Sequence, residues 1–250
     1  MRWFSMILII VMIACQSTEE NPAAKGFDAA GSDPQAVAIA DTVMKYLGGR
    51  KNWDDVRYIS WDFFGRRLHV WDKHSGNIRI EEGGNVTLMN IHSKRGRVWQ
   101  GGEEMTEADS LGKLLERGYR VWINDSYWLL MPYKLKDSGV TLKYLGERVL
   151  ENGNPADVLQ LTFENVGVTP QNKYDVFVNK KTHHVEQWSY YAQYDDPEPR
   201  FTTPWSNWQL YGKIWLSNDR GERSLSQLAV FDKLPASIFE SPAVIDLSTY

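Results

Sequence analysis

The chain has 250 residues, 42% of them hydrophobic, with a formal charge of −4 and a sequence pI of about 5.8. That balance lacks the basic footprint that binding to a nucleic-acid backbone requires. The single cysteine, Cys15, excludes a disulfide framework or a multi-thiolate metal site. Eleven tryptophans are the compositional outlier, ten of them after the first fifteen residues. In a β-rich protein many serve as core, but lipid- and glycan-binding surfaces are also rich in indole rings.

The amino terminus sets the compartment. Arg2 precedes an apolar run over residues 3–14 that ends Met12-Ile13-Ala14-Cys15. The run is too short to cross a bilayer, which takes about 20 residues, and suits the apolar region of a signal peptide. A small residue before a cysteine at that place resembles the lipobox of bacterial lipoproteins. The resemblance implies that residues 1–14 are a signal peptide and that Cys15 is lipidated and anchors the chain to the cell envelope. By resemblance to proteobacterial sorting rules, Gln16 rather than Asp after the cysteine favours the outer membrane. Residues 15–32 are the lipidated cysteine and a flexible tether, small, polar and Gly/Pro-bearing. Residues 33–250 are read as a single β-rich domain.

Ser32 or Asp33 N-caps a helix with Pro34 in its first turn. Ala36, Ile39, Ala40, Val43 and Leu47 recur at helical spacing before Gly48-Gly49 closes it. From residue 57 the period becomes two: Ile59, Trp61 and Phe63 share one face. Gly65, Gly76 and Gly83-Gly84 then punctuate an antiparallel meander of five strands ending near Trp99. Residues 107–119 read as a helix that Gly118 ends. Residues 121–146 carry Trp122, Tyr127, Trp128, Leu129, Leu130, Met131 and Tyr133, interrupted by Pro132. This stretch reads as a buried strand, a turn and a second strand, or as an aromatic wall of a cavity. Residues 157–163 form a strand, 173–178 pair with 185–191, and the polar segment 164–172 between them is not buried strand. Residues 195–204 are a surface loop, and 208–216 and 223–231 are strands joined by a turn over 217–221. About eleven strands and two or more helices must hide their edges. The fold expected is mainly β with α (α+β): a curled antiparallel half-barrel with helices covering or plugging it.

This order of elements resembles the lipoprotein-sorting carriers of the LolA/LolB-like fold, incomplete barrels whose apolar cavity takes acyl chains. Four strings are also similar to a family of uncharacterised lipoproteins from Bacteroidetes-type bacteria. They are Leu47-Gly48-Gly49 with Trp53, Asn124-Asp125-Ser126-Tyr127-Trp128 with Met131-Pro132, Leu135-Lys136-Asp137-Ser138-Gly139-Val140, and the run from Asn165 to Tyr174. No activity comes with that family. The resemblance implies a cavity and an apolar ligand or lipoprotein as partner, besides the membrane reached through the anchor.

Catalytic chemistry finds little support. No G-x-S-x-G motif surrounds a serine. His183 and His184 are adjacent, so on a strand they face opposite ways, while His69, His74 and His92 are scattered; no metal or other cofactor is expected. Asp62, Asp125, Asp137 and Glu164 are the carboxylates worth watching, Asp125 and Asp137 reading as turn residues. The expected site is a cavity lined by Trp61, Phe63, Trp122, Tyr127, Trp128, Met131 and Tyr133. Three function classes stay open: a non-catalytic binding or carrier lipoprotein, a structural lipoprotein of an outer-membrane complex using exposed Trp205 and Trp208, and an enzyme or glycan-binding module.

Overall fold

Pro34 sits in the first turn of helix α1 (Pro34–Tyr46), where a missing N–H costs nothing. The Asp33 carboxylate does not cap its own helix. It accepts instead from the Tyr144 N–H (3.0 Å) and Lys143 Nζ (3.2 Å), tying the helix start to a distant strand. The computed structural model describes residues 20–164 and 166–250; Cys15 and the signal-like run lie outside the described residues. The segment read as a tether is docked from Asn21 onward. Ala24 N–H bonds the Lys136 carbonyl, Asp28 N–H bonds Val140, and Phe27 packs on the core. Composition concealed this because backbone N–H and carbonyl groups make several of the contacts.

A short helix, α2 (Arg50–Asp55), follows the Gly48-Gly49 turn. The meander then runs β1 (Tyr58–Phe63), β2 (Arg67–Asp72), β3 (Asn77–Glu82), β4 (Asn85–Asn90), β5 (Gly96–Gln100) and β6 (Glu103–Glu104). Helix α3 (Ala108–Leu130) leads through a 3-10 turn (Met131–Tyr133) into β7 (Val140–Val149), β8 (Pro155–Phe163), β9 (Lys173–Asn179) and β10 (Val185–Tyr191). Then come β11 (Phe201–Pro204), β12 (Ser206–Tyr211), β13 (Ile214–Asp219), β14 (Leu225–Phe231) and a last short helix, α4 (Ser237–Glu240).

The strands form three antiparallel sheets among the described residues: β14-β1-β2-β3-β4-β5-β6, β11-β10-β9-β8-β7, and the hairpin β12-β13. The two large sheets are open and uncurled and share one core with α1 and α3, an arrangement consistent with an α+β half-barrel. The outer side of the first sheet is covered by the chain's end. Leu234 and Ile238 pack on Tyr58 and Val70. Arg79, wholly buried, donates to the carbonyls of Ile238, Ser241 and Ala243. No helix among the described residues is long and apolar enough to cross a membrane.

Four local readings need correction. Residues 208–216 are not one strand: the chain reverses at Gly212, whose φ of 60° suits a tight turn, to make β12-β13. The loop expected over 195–204 ends in β11, which Pro204 can terminate because β11 is an edge strand. Helix α2 is too short to leave a hydrophobic period. Most consequential, α3 does not stop at Gly118. A Cβ there would press on Thr87 Cγ2 and Met89 Sδ of β4, so the glycine allows close packing of helix on sheet. The helix continues to Leu130, and the 121–130 segment is not strand. Pro132 falls just beyond it, where a proline is tolerated.

An aromatic cleft under helix α3

Helix α3 begins with Glu107, whose carboxylate accepts from the N–H groups of Asp109 (2.9 Å) and Ser110 (2.7 Å). Leu115, Gly118, Asp125, Ser126, Leu129 and Leu130 form its buried stripe, at the three- and four-residue spacing of one helix face. Full burial of Leu129 and Leu130 stabilises by roughly 1.5–3 kcal/mol each. At the other end Arg220 is buried and donates to the Trp128 carbonyl at 2.7 Å, occupying one of the acceptors a helix terminus leaves open. Its guanidinium lies 3.6 Å from the Trp205 ring centroid. Trp205 is therefore core and not an exposed loop residue, and the half-buried Trp208 donates its indole N–H to the Val185 carbonyl.

The second half of α3 faces the β7–β11 sheet across a cleft of about 590 Å³. Nine of its lining residues are aromatic. The sheet side is a cross-strand ladder. Tyr174 on β9 stacks on Trp188 of β10 (4.9 Å, 10°), meets Phe163 of β8 edge-on (5.7 Å), and leads through Tyr190 to Phe201 on β11. From the helix, Tyr127 packs 5.4 Å from Tyr174 and 5.9 Å from Trp188, while Trp128 stacks on Phe201 at 5.7 Å. Aromatic pairs at these separations add about 0.5–1.5 kcal/mol each beyond area burial. The loop after β8, with Val166, Val168 and Thr169, forms a third wall. Gly139 lets that loop come close, since a Cβ there would meet Val166 and the Glu164 carbonyl.

Three donors on this lining have no protein partner and are shielded from water: Trp122 Nε1, Tyr127 Oη and Trp188 Nε1. Burial pushes the Tyr127 phenol well above its ordinary value, so it stays neutral and presents O–H. The cleft is thus a half-open, mainly aromatic space with polar residues at its rim and a few unused hydrogen-bond donors in its walls, a composition that suits a small-molecule site.

Of the seven residues expected to line a cavity, Trp122, Tyr127 and Trp128 line the cleft. Trp61 and Met131 are fully buried elsewhere, Trp61 stacked on His69 at 4.6 Å. Phe63 is buried and packs on Phe64. Tyr133 stacks on Trp53 at 4.3 Å and shares its hydroxyl between the carbonyls of Leu47 (2.9 Å) and Trp215 (2.8 Å). Those four are core. Sequence reasoning passed over Phe163, Tyr174, Trp188, Tyr190 and Phe201. The signal lay in the pairing of 173–178 with 185–191, which puts Trp188 and Tyr190 on the same face as Tyr174. Three of the four strings that carried the family resemblance, at 124–128, 135–140 and 165–174, meet in this one cleft.

Beside the cleft lies a buried charged cluster. Asp125, fully buried on α3, accepts from Arg67 Nε (2.7 Å) and Nη2 (3.1 Å) and from His69 Nε2 (2.8 Å). Burial would raise the Asp125 carboxyl, but the bonds from His69 and Arg67 outweigh it and hold it below its ordinary value. Burial holds the His69 imidazole below its usual value, Asp125 opposing, so the ring is neutral near pH 7 with its proton on Nε2. Asp125 is accordingly not a turn residue. No group of three metal-ligating side chains converges among the described residues.

Neither a protein-family model nor a curated protein sequence matches the chain. Among solved structures it is similar to a DUF1329 family protein from Desulfovibrio piger, at 13% identity over 84% of this chain and 98% of that one (TM-score 0.43). It is similar to a putative outer membrane lipoprotein-sorting protein domain from Vibrio parahaemolyticus, at 10% identity over 82% and 96% (TM-score 0.41). It is also similar to a LolA superfamily protein from Nitrosomonas europaea, at 11% identity over 80% and 96% (TM-score 0.31). None of these likenesses is close enough to transfer a ligand.

Proposed function

We propose that the chain is an envelope lipoprotein that binds or carries an apolar ligand, such as an acyl chain, in the cleft between α3 and the β7–β11 sheet. The observation that carries this reading is the cleft itself: about 590 Å³ walled by aromatic rings from four strands and one helix, with three buried donors unused. A volume of this size lies within the range of small-ligand sites. The rings supply apolar area for a chain to lie against.

Residues 1–14 are a signal peptide, Cys15 carries the lipid, and residues 33–250 are one domain held at the outer membrane. Cys15→Ser then moves the protein from the membrane fraction to the soluble periplasm; an unchanged distribution refutes the anchor. The same variant, purified without detergent, tests the cleft by native mass spectrometry with lipid extraction. An acyl species at fixed stoichiometry, or uptake of added acyl lipid at one per chain, is the expected result. A bare mass that takes up no lipid refutes the reading.

A further inference from the structure

The cleft has a charged end. Arg120 lines both the aromatic cleft and an adjoining groove of about 480 Å³ along α3. Lys113, Arg117 and Arg120 lie four and three residues apart, on one face of the helix, and all three border the groove. Most charges nearby are matched. Arg67 is held by Asp125 and Glu82, Arg117 by Glu82, and Glu116 lies 3.7 Å from Lys94. The single carboxylate lining the cleft, Asp137, is held by Lys134 Nζ at 2.7 Å. Lys113 and Arg120 are both exposed, and neither has a hydrogen-bond or ion-pair partner among the described residues. An acidic chain thus keeps two unmatched cations next to its aromatic cleft. Seven residues further along the same helix, a rise of about 10 Å, Tyr127 offers its buried hydroxyl.

We propose that the ligand is an anionic single-chain amphiphile, and that Arg120 receives its head while the chain lies among the rings. This deepens the cleft reading above and rests on it. A guanidinium presents paired N–H groups that match the two oxygens of a carboxylate or phosphate. Lys113, seven residues earlier on the same helix, adds to the local positive field. The shared chemistry is an acyl chain with an anionic head, whether a fatty acid or a lysophospholipid with a phosphate monoester.

The test uses the full chain carrying Cys15→Ser, with a fluorescent polyene fatty acid, its methyl ester, and lysophosphatidic acid as competitor. At low salt the acid binds about 1.4- to fivefold more tightly than the ester, the range expected for an exposed charge contact. Arg120→Gln brings the ratio of the two affinities to near one, Lys113→Gln lowers it less, and raising salt lowers it in the parent. Displacement at lower concentration by lysophosphatidic acid than by unlabelled fatty acid identifies phosphate as the head, and the reverse identifies carboxylate. Equal binding of acid and ester, or a ratio that Arg120→Gln leaves unchanged, overturns the anionic head while the cleft stands. Failure of every probe to bind overturns the cleft reading and this one with it. Arg120 is exposed, so circular dichroism is expected to match the parent.

Discussion

Trp128→Ala separates the cleft from the core. The indole is half-buried, with Phe64, Trp188 and Phe201 around it. A tryptophan buries up to about 250 Å², so its exposure leaves on the order of 50 Å² for a ligand to cover. At about 25 cal/mol per Å² that is roughly 1.3 kcal/mol, or about tenfold in affinity for an acyl probe. The core side is larger: truncating a tryptophan costs roughly 3–5 kcal/mol when buried, and about 3 is expected here because part of the ring is exposed. Trp61→Ala is the control. That ring is fully buried, stacks on His69 and does not line the cleft. It should lose about 3–5 kcal/mol in urea unfolding with no change in probe affinity of the folded fraction. Urea titration followed by tryptophan fluorescence and a parallel probe titration read both quantities. If Trp128→Ala costs stability and leaves affinity intact, or if Trp61→Ala weakens binding as much, the division into lining and core is wrong.

Asp125→Asn leaves the Arg67 guanidinium in a buried site with Glu82, at 3.1 Å, as its remaining counter-charge. Breaking a buried pair typically costs about 3–5 kcal/mol, and the residual partner places this variant near 3; a loss below 1 kcal/mol in urea unfolding sinks the assignment. His69 has a folded-state pKa below the ordinary 6.5, so the unfolded chain takes up the proton first as pH falls. Stability therefore declines below about pH 6.5, by at most about 1.4 kcal/mol per pH unit, until the folded-state pKa is reached. His69→Gln removes that part of the decline. A parent whose stability is flat between pH 6.5 and 5, or a variant with the parent's slope, contradicts it.

Much of the fold is legible in local pattern. The glycine turns at Gly65, Gly76 and Gly83-Gly84 and the alternation between them mark β1–β4 because each strand pairs with its neighbour in sequence. The second half of α3 was not legible for a physical reason. A helix wedged between two sheets is apolar on more than one face, so Val121 to Tyr133 reads as an undivided aromatic run. Gly118, a turn signal in isolation, is spent on contact with β4. The cleft inherits the same difficulty. Its helix wall is legible as a run of aromatics, whereas its sheet wall depends on which strands lie opposite the helix, a long-range fact. Asp125 shows the converse: its neighbour Asn124 suggests a turn, and only the tertiary positions of Arg67 and His69 make it a buried ion.

The order β14-β1-β2 carries a kinetic consequence. The first strand of the meander is hydrogen-bonded on one side to a strand far along the chain, with Ser60 Oγ donating to the Gln227 carbonyl, 167 residues later, at that seam. Until residues 225–231 emerge, β1 presents a bare edge, with Ile59 and Trp61 on it, to any strand-forming neighbour. Arg79, buried against the carbonyls of residues 238–243, likewise waits for that segment to arrive. A chain cut short before residue 225 would thus keep most of its meander and yet be a template for aggregation. Arrival of residues 225–243, rather than formation of the meander, is the step that makes the first sheet safe.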